Sequence, residues 1–128
     1  MPTALIIEDN PDNMLLIGDI LRVNGCDILQ AETGLQGVTM AKEMMPDFII
    51  LDIQLPDIIG NEVFKRIRTE ETTKNIPIIA MTSYAMSGDR EKLLSSGCDG
   101  YIEKPIDPGS VVDKIKQAIG KDACESLS

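Results

Sequence analysis

Five short apolar runs recur along the chain: Ala4–Ile7, Ile28–Ala31, Phe48–Leu51, Ile78–Met81 and Tyr101–Ile102. They lack polar alternation, which is typical of strands buried on both faces of a parallel sheet. The fifth run is short, and its place in the series predicts the strand. The stretches between the runs have helical periodicity, and each repeat spans about 20 to 30 residues, the length of one strand-plus-helix unit. The pattern predicts a (βα)5 domain.

Helix start signals support this division of the chain. An N-cap side chain before proline, or a capping box, precedes three of the predicted helices: Asn10-Pro11, Asp107-Pro108, and Thr33 with Gln36. Right-handed crossovers between parallel strands place helices on both faces of the sheet. We therefore predict a three-layer α/β sandwich.

The first helix has a predicted apolar side and a polar side. At 100° per residue, the apolar side contains six residues: Met14, Leu16, Ile17, Ile20, Leu21 and Val23. Leu15 falls on the opposite side, among Asp12, Asp19 and Arg22. Single exposed leucines are common on protein surfaces. Leu15 is therefore either a solvent-exposed residue or a contact for a partner.

Composition narrows the classes of function. The chain has 128 residues, enough for one domain, and a formal net charge of −9. Such an acidic surface repels nucleic acid phosphates and anionic membranes, so we expect neither partner. The sequence contains no histidine, which removes histidine-based acid–base chemistry and the commonest zinc ligand.

The cysteines and the first apolar run predict a cytoplasmic protein. Cys26, Cys98 and Cys124 are odd in number and lack CxxC spacing, so we expect reduced thiols. The run Ala4–Ile7 ends at Glu8 and is too short for a signal peptide or a membrane span.

Polar groups follow four of the predicted strands. Glu8 and Asp9 end the first strand, Asp52 the third and Thr82 the fourth, and Lys104 follows the fifth. Functional groups of parallel sheets collect at the carboxyl ends of the strands. If the first and third strands are neighbours, three carboxylates converge, and this all-oxygen cluster suits a hard cation such as Mg²⁺. The hydroxyl and the ammonium are groups that would receive a phosphoryl oxygen.

The ordered set of motifs resembles the receiver domain of two-component response regulators, the CheY-like group, over residues 3 to 120. The matching segments are LIIEDN, IILDIQLPDIIG, IIAMTSYA and YIEKP. Within the group, DIQLPD, SYAMSGDREK and GCDGYIEKPI are most similar to DivK-type single-domain regulators. The resemblance implies a flavodoxin-like fold with sheet order 2-1-3-4-5.

The resemblance also implies a function and its chemical groups. Asp52 would accept a phosphoryl group from a histidine kinase or a histidine phosphotransfer protein. Mg²⁺, or Mn²⁺, would be held by Glu8, Asp9, Asp52 and the backbone carbonyl of Ile53. Lys104 would pair with a phosphoryl oxygen. The chain would be a signalling phosphoacceptor, catalysing only its own phosphorylation and dephosphorylation, and not otherwise an enzyme.

The resemblance also indicates which residues would change position on phosphorylation and which would control access to the phosphoryl group. Thr82 would bind the phosphoryl group after a loop movement, and Tyr101 would move inward behind it. Gln54 and Tyr84 lie two residues beyond Asp52 and Thr82, where hydrolytic water would enter. The fourth helix, fifth strand and fifth helix would form the surface for a downstream protein, and Leu15 would contact the donor.

We expect the receiver domain to span residues 1–120 and a polar tail to span 121–128. The tail is too short for a DNA-binding output domain, so we expect output through protein contacts. The sequence does not identify the kinase, the target or the direction of phosphoryl flow.

Three alternatives compete with a signalling phosphoacceptor. An aspartyl-phosphate phosphatase would need a DxD arrangement on the first strand, where the chain has Glu8-Asp9-Asn10. A nucleotide or flavin binder would need a phosphate-cradling loop, and neither glycine-rich motif occurs. A receiver that binds partners without phosphorylation stays open, although the chemical residues are all present.

Overall fold

The computed structural model describes residues 3–52, 60–82, 99–103 and 107–119. The strands within these ranges are β1 (Thr3–Ile7), β2 (Asp27–Ala31), β3 (Phe48–Asp52), β4 (Ile78–Thr82) and β5 (Gly100–Glu103). The helices within these ranges are α1 (Pro11–Val23), α2 (Gly34–Met44), α3 (Gly60–Arg68) and the final helix (Pro108–Ile119). The predicted alternation of strands and helices is confirmed in these segments. The predicted fourth helix lies outside the described residues.

The five strands form one parallel sheet of order β2-β1-β3-β4-β5. Along β1, Ala4 and Ile6 pack on the side of α1 and the final helix. Leu5 and Ile7 pack on the side of α2 and α3. Because successive side chains point to opposite faces, one strand supplies both apolar layers. The predicted three-layer sandwich and its strand order are confirmed.

Burial differs between the central and edge strands. β3 is buried at every position, as its uninterrupted apolar run predicts. The prediction of burial on both faces is wrong for β2, where Gln30 is exposed and Ile28 and Leu29 are only half-buried. β2 lies at the sheet edge, beyond the reach of full helix cover.

Helix α1 begins at Pro11 after Asn10, whose side chain accepts hydrogen bonds from the next free backbone amides. Its buried residues are Met14, Ile17, Gly18, Ile20 and Leu21. Leu16 and Val23 are exposed, so their predicted burial is wrong. The helix rests on the β1–β2 side of the sheet, and the strip that faces the sheet is narrower than the apolar side in sequence. The prediction that Leu15 is exposed is confirmed.

The capping box predicted for α2 forms only in part. Thr33 Oγ1 accepts from the Gln36 N–H at 3.1 Å, as predicted. The side-chain Oε1 of Gln36 accepts instead from the backbone N–H of Glu32 at 3.0 Å. The amide therefore ties the end of β2 to the first turn of α2.

Helix α2 lies very close to β1 at Gly37. A Cβ atom built on Gly37 would lie 2.4 Å from Cδ1 and 2.6 Å from Cγ1 of Ile7. Ordinary carbon contacts are about 3.5–4.0 Å. The close packing of this helix on the strand therefore requires glycine.

Arg68, at the end of α3, binds the edge of the sheet opposite the strand carboxyl ends. Its Nη1 donates to the carbonyls of Lys74 and Ile76, and its Nη2 forms a salt bridge with Asp99 Oδ2 at 2.7 Å. The same Asp99 oxygen accepts from the backbone N–H of Ile78 at 2.9 Å. We call this group the Arg68–Asp99 clamp. It joins α3 to the first residues of β4 and β5.

Cys26 is buried in the core beside α1 and is free. Burial raises the pKa of its thiol, and the nearby Asp27 and Asp47 carboxylates raise that pKa further. The expected reduced, packed thiol is confirmed at this position. Cys98 and Cys124 lie outside the described residues. Within the described ranges, no helix has the length and apolar character needed to cross a membrane.

Candidate functional site

The register of the sheet brings the ends of β1 and β3 together. Ile7 lies opposite Leu51 in the parallel ladder. Glu8 and Asp52 are the next residues of the two chains after this pair. The backbone N–H of Glu8 donates to the carbonyl of Ala31 at 3.0 Å, which extends the pairing with β2. The backbone that carries the carboxylates of Glu8 and Asp52 is therefore fixed by the sheet.

Three carboxylates meet at this edge. One carboxylate oxygen from each of Glu8, Asp9 and Asp52 lies within 4.8 Å of the others. Glu8 and Asp52 are buried, with 1% and 2% of their surface exposed, whereas Asp9 is exposed. The backbone N–H of Asn10 donates to Glu8 Oε1 at 3.1 Å, and the same residue caps α1. The turn that starts the helix also positions a buried carboxylate.

The charge and chemistry of this cluster fit a divalent cation. Carboxylates placed this close repel one another, and a bound cation offsets that repulsion. All three donors are hard oxygen atoms, which suit Mg²⁺ rather than a thiolate- or imidazole-preferring metal. The residues present therefore fit a magnesium site at the carboxyl ends of β1 and β3.

The other predicted site residues are placed only in part. Thr82 is the last residue of β4, in register with Glu103 of β5, so its backbone ends at the same edge. Tyr101 is half-buried on β5, in register with Ala80, and packs against the core under α2 and α3. Four predicted residues lie outside the described ranges: Ile53, Gln54, Tyr84 and Lys104.

A cavity of about 850 Å³ adjoins the carboxylate cluster, on the β2 side of the sheet. We call it the lateral cavity. Its lining residues within the described ranges are Glu8, Asp9, Pro11, Met14, Leu15, Gln30, Glu32 and Gln36. Leu15 therefore lies beside the carboxylates, as its position in the first helix predicts. The sequence pattern did not indicate Gln30, Glu32 and Gln36 as site residues, although Glu32 follows a strand end as Glu8 does.

A parallel sheet of this order, with acidic groups clustered at the ends of β1 and β3, defines a receiver-type signalling domain. The response regulator receiver domain family model matches residues 4–116. The chain belongs to this family, and it is a CheY-like receiver domain of two-component signalling.

The chain is similar to several members of this family. It is 39% identical over 118 residues to the polar-differentiation response regulator DivK of Brucella ovis, covering 92% of this chain and 96% of that protein. It is 34% identical to the receiver domain of a sensor histidine kinase of Pseudomonas aeruginosa PAO1, with a TM-score of 0.85 and coverage of 93% and 98%. That receiver's crystal structure has a magnesium ion coordinated in the active site cleft.

A CheY-like receiver domain protein from Methanospirillum hungatei JF-1 is 26% identical and has a TM-score of 0.84. The match covers 98% of this chain and 97% of that one. The predicted family and its resemblance to DivK are thus confirmed.

Proposed function

We propose that the chain accepts a phosphoryl group on Asp52 from a phosphohistidine donor, with Mg²⁺, and that phosphorylation changes a protein-binding surface. The observation that carries this proposal is the grouping of Glu8, Asp9 and Asp52 within 4.8 Å, with Asp52 buried at a strand end. The magnesium-bound receiver of the Pseudomonas aeruginosa kinase, 34% identical, supports the choice of cation.

The proposed chemistry is phosphoryl transfer between two side chains. A carboxylate oxygen of Asp52 attacks phosphorus, the P–N bond to the donor histidine breaks, and the imidazole leaves with a proton from solvent. Glu8, Asp9, Asp52 and the carbonyl of Ile53 would hold Mg²⁺, or Mn²⁺. When bound, the ion would offset negative charge on the transferring group. The chain's own residues would position the reacting groups and supply the electrostatic environment for the transferring phosphoryl group.

Thr82 and Lys104 would convert phosphorylation into a conformational change. Each charge-assisted hydrogen bond to the phosphoryl group contributes about 1.5–3 kcal/mol. Shifting a two-state protein from 1:99 to 99:1 requires about 5.5 kcal/mol of differential affinity. Two or three contacts formed mainly in the active state are therefore sufficient. Tyr101 would move inward behind Thr82; its half-buried position on β5 is compatible with such a movement.

Labelling with a small phosphodonor tests this proposal. Acetyl phosphate with Mg²⁺ is expected to add one phosphoryl group per chain, and peptide mapping is expected to find it on Asp52. Excess chelator should prevent the reaction because the carboxylates would then repel the incoming phosphoryl group. Mass spectrometry of the intact protein measures both results.

The same experiment has an outcome that rejects the proposal. Equal labelling with and without chelator would show that the carboxylate cluster does not use a metal for this reaction. A protein that folds, binds Mg²⁺ and yet accepts no phosphoryl group from any donor would instead be a receiver that acts without phosphorylation.

Gln54 and Tyr84 would control the lifetime of the aspartyl phosphate. They lie two residues after Asp52 and Thr82 in the sequence, which motivates their assignment to the entrance of the site. A tyrosine there would shield the phosphoryl group, and a glutamine would orient a water molecule. Both assignments rest on sequence position.

We propose one partner that supplies the phosphoryl group and another that responds to phosphorylation. A histidine kinase or a histidine phosphotransfer protein would supply the phosphoryl group. The fourth helix, β5 and the final helix would bind the downstream protein. We further propose a receiver unit of residues 1–120, a polar tail of 121–128 and a cytoplasmic location.

Leu15 is proposed as a contact for the donor. It is 60% exposed and lines the lateral cavity beside the carboxylates. Burying a leucine side chain fully contributes about 1.5–3 kcal/mol. Leu15→Lys is therefore expected to slow transfer from the protein donor by about tenfold or more, measured as the kcat/KM of the phosphorylated donor. Acetyl phosphate labelling and the unfolding temperature should stay unchanged.

Met44→Lys provides a matched control. Met44 is 54% exposed and ends α2, at the edge of the sheet away from the carboxylates. It makes the same change in charge and should leave donor transfer unaffected. If Leu15→Lys impairs both phosphodonors equally, Leu15 supports the active site; if it impairs neither, Leu15 is only a surface leucine.

A further inference from the structure

We infer that the lateral cavity binds a basic side chain carried by a helix of the phosphoryl donor, with Glu32 as its counter-charge. This inference rests on the proposed function for the identity of the partner. The binding of a basic helix does not depend on phosphorylation, and it is argued from the shape, charge and rigidity of the cavity.

The cavity has the size and lining of a binding site. Its volume of about 850 Å³ lies within the usual range for ligand pockets. Pro11, Met14 and Leu15 form an apolar wall from the first turns of α1. Long basic side chains cover such surfaces with their methylene groups while the charged head contacts polar atoms. A lysine or arginine stem fits this wall.

The described lining of the cavity is acidic. Glu8, Asp9 and Glu32 contribute carboxylates, and none of the eight described lining residues is a lysine or arginine. Among the described residues, neither Asp9 nor Glu32 forms a salt bridge. Mg²⁺ in the proposed site would take up the charge of Glu8 and Asp9. Glu32 would remain as the carboxylate for a second, organic cation.

The wall that carries Glu32 is held in place before any partner binds. Gln36 Oε1 accepts from the Glu32 backbone N–H at 3.0 Å, and the Gln36 N–H donates to Thr33 Oγ1 at 3.1 Å. These two bonds connect the end of β2 to the first turn of α2. Binding therefore loses little backbone freedom, which favours affinity.

The position of Leu15 favours a protein helix over a small organic cation. Leu15 lines the cavity, yet 60% of its surface is exposed, so much of this apolar side chain is open to solvent beside the cavity. A small cation would leave this leucine in water. A helix that buries Leu15 and places a basic residue one turn away, at i+3 or i+4, satisfies both features at once.

A binding experiment tests the cavity without phosphorylation. The probe is a synthetic helical peptide of about 20 residues with two leucines and one arginine on the same face. A second peptide carries citrulline, which keeps the shape of arginine without its charge. In an NMR titration of the magnesium-loaded protein, the amide signals of Leu15, Glu32 and Gln36 should shift, and the citrulline peptide should bind at least about threefold more weakly. Glu32→Gln should abolish the difference between the two peptides.

A transfer experiment tests the partner. The probe is the phosphorylated protein that transfers fastest to the wild-type chain in a panel of purified histidine kinases and phosphotransfer proteins. Glu32→Arg should lower its kcat/KM by at least about tenfold, because like charges would meet. Exchange of one basic donor residue for glutamate should restore the rate. Glu43→Arg, an equal charge change on the exposed far turn of α2, should have no such effect.

The outcomes separate this inference from the proposed function. Equal binding of the two peptides, or signal changes confined to other surfaces, would overturn the cavity as a site for a basic side chain. Normal transfer to Glu32→Arg would overturn the donor as its source. Loss of acetyl phosphate labelling in the wild-type chain would reject the proposed function and leave the peptide result standing.

Discussion

Asp52→Asn is expected to abolish phosphorylation by acetyl phosphate and by any protein donor. Asparagine keeps the size of the side chain but lacks the anionic oxygen that would attack phosphorus. Because the change also removes one charge from three carboxylates within 4.8 Å, it should relieve repulsion. With chelator present, the unfolding temperature should therefore not fall. Intact-protein mass spectrometry and calorimetry measure the two effects.

Asp9→Asn is the matched control for this prediction. It removes a carboxylate of the same cluster but keeps Asp52, so labelling should survive at saturating Mg²⁺ and require a higher concentration of the ion. Labelling that persists in Asp52→Asn would place the acceptor on another residue. A large loss of stability in Asp52→Asn would show that the buried carboxylate supports the fold.

Gly37→Ala is expected to lower the free energy of unfolding by about 2 kcal/mol. The added Cβ would lie 2.4 Å and 2.6 Å from two carbons of Ile7, which is completely buried. Overpacking a core costs about 1–3 kcal/mol, and the better helix propensity of alanine returns up to about 1 kcal/mol. Urea unfolding would measure the difference, which corresponds to several degrees in Tm for a domain of this size.

Gly109→Ala separates crowding from a general effect of removing glycine. Gly109 lies in the final helix, and a Cβ there would meet no atom within 4 Å. This variant should be as stable as the wild type or slightly more so. If Gly37→Ala is equally harmless, α2 can move away from β1 without cost. If truncating Ile7 to alanine costs less in the Gly37→Ala background, the predicted contact is confirmed.

Much of the fold could be predicted because local patterns determine it. Uninterrupted apolar runs identified the central strands, and the cap at Asn10 and Pro11 located the start of α1. The strand-end rule then placed Glu8, Asp9 and Asp52 at one edge, where the structure brings their oxygen atoms together. This step does not require the positions of the side chains, because the topology alone aligns the ends of β1 and β3.

The remaining features depend on tertiary packing. Leu16 and Val23 match the apolar side of α1, but their exposure depends on how much of the helix the sheet covers. Glu32 follows a strand end as Glu8 does, yet its relation to Leu15 arises only when α1 and α2 flank the edge strand. The need for glycine at position 37 is likewise a consequence of the distance between α2 and β1. The hydrophobic periodicity of the sequence does not determine these distances.

The Arg68–Asp99 clamp gives the two ends of β4 and β5 different mechanical roles. At their starts, the Arg68 guanidinium donates to the carbonyls of Lys74 and Ile76 and to the Asp99 carboxylate. The Asp99 carboxylate also accepts from the Ile78 N–H, and all four bonds are 2.6–2.9 Å long. At the other end lie Thr82 and Glu103. The clamp therefore holds the starts of β4 and β5 in register. A displacement at Thr82 would be accommodated near the carboxyl ends of the two strands rather than by one strand sliding along the other.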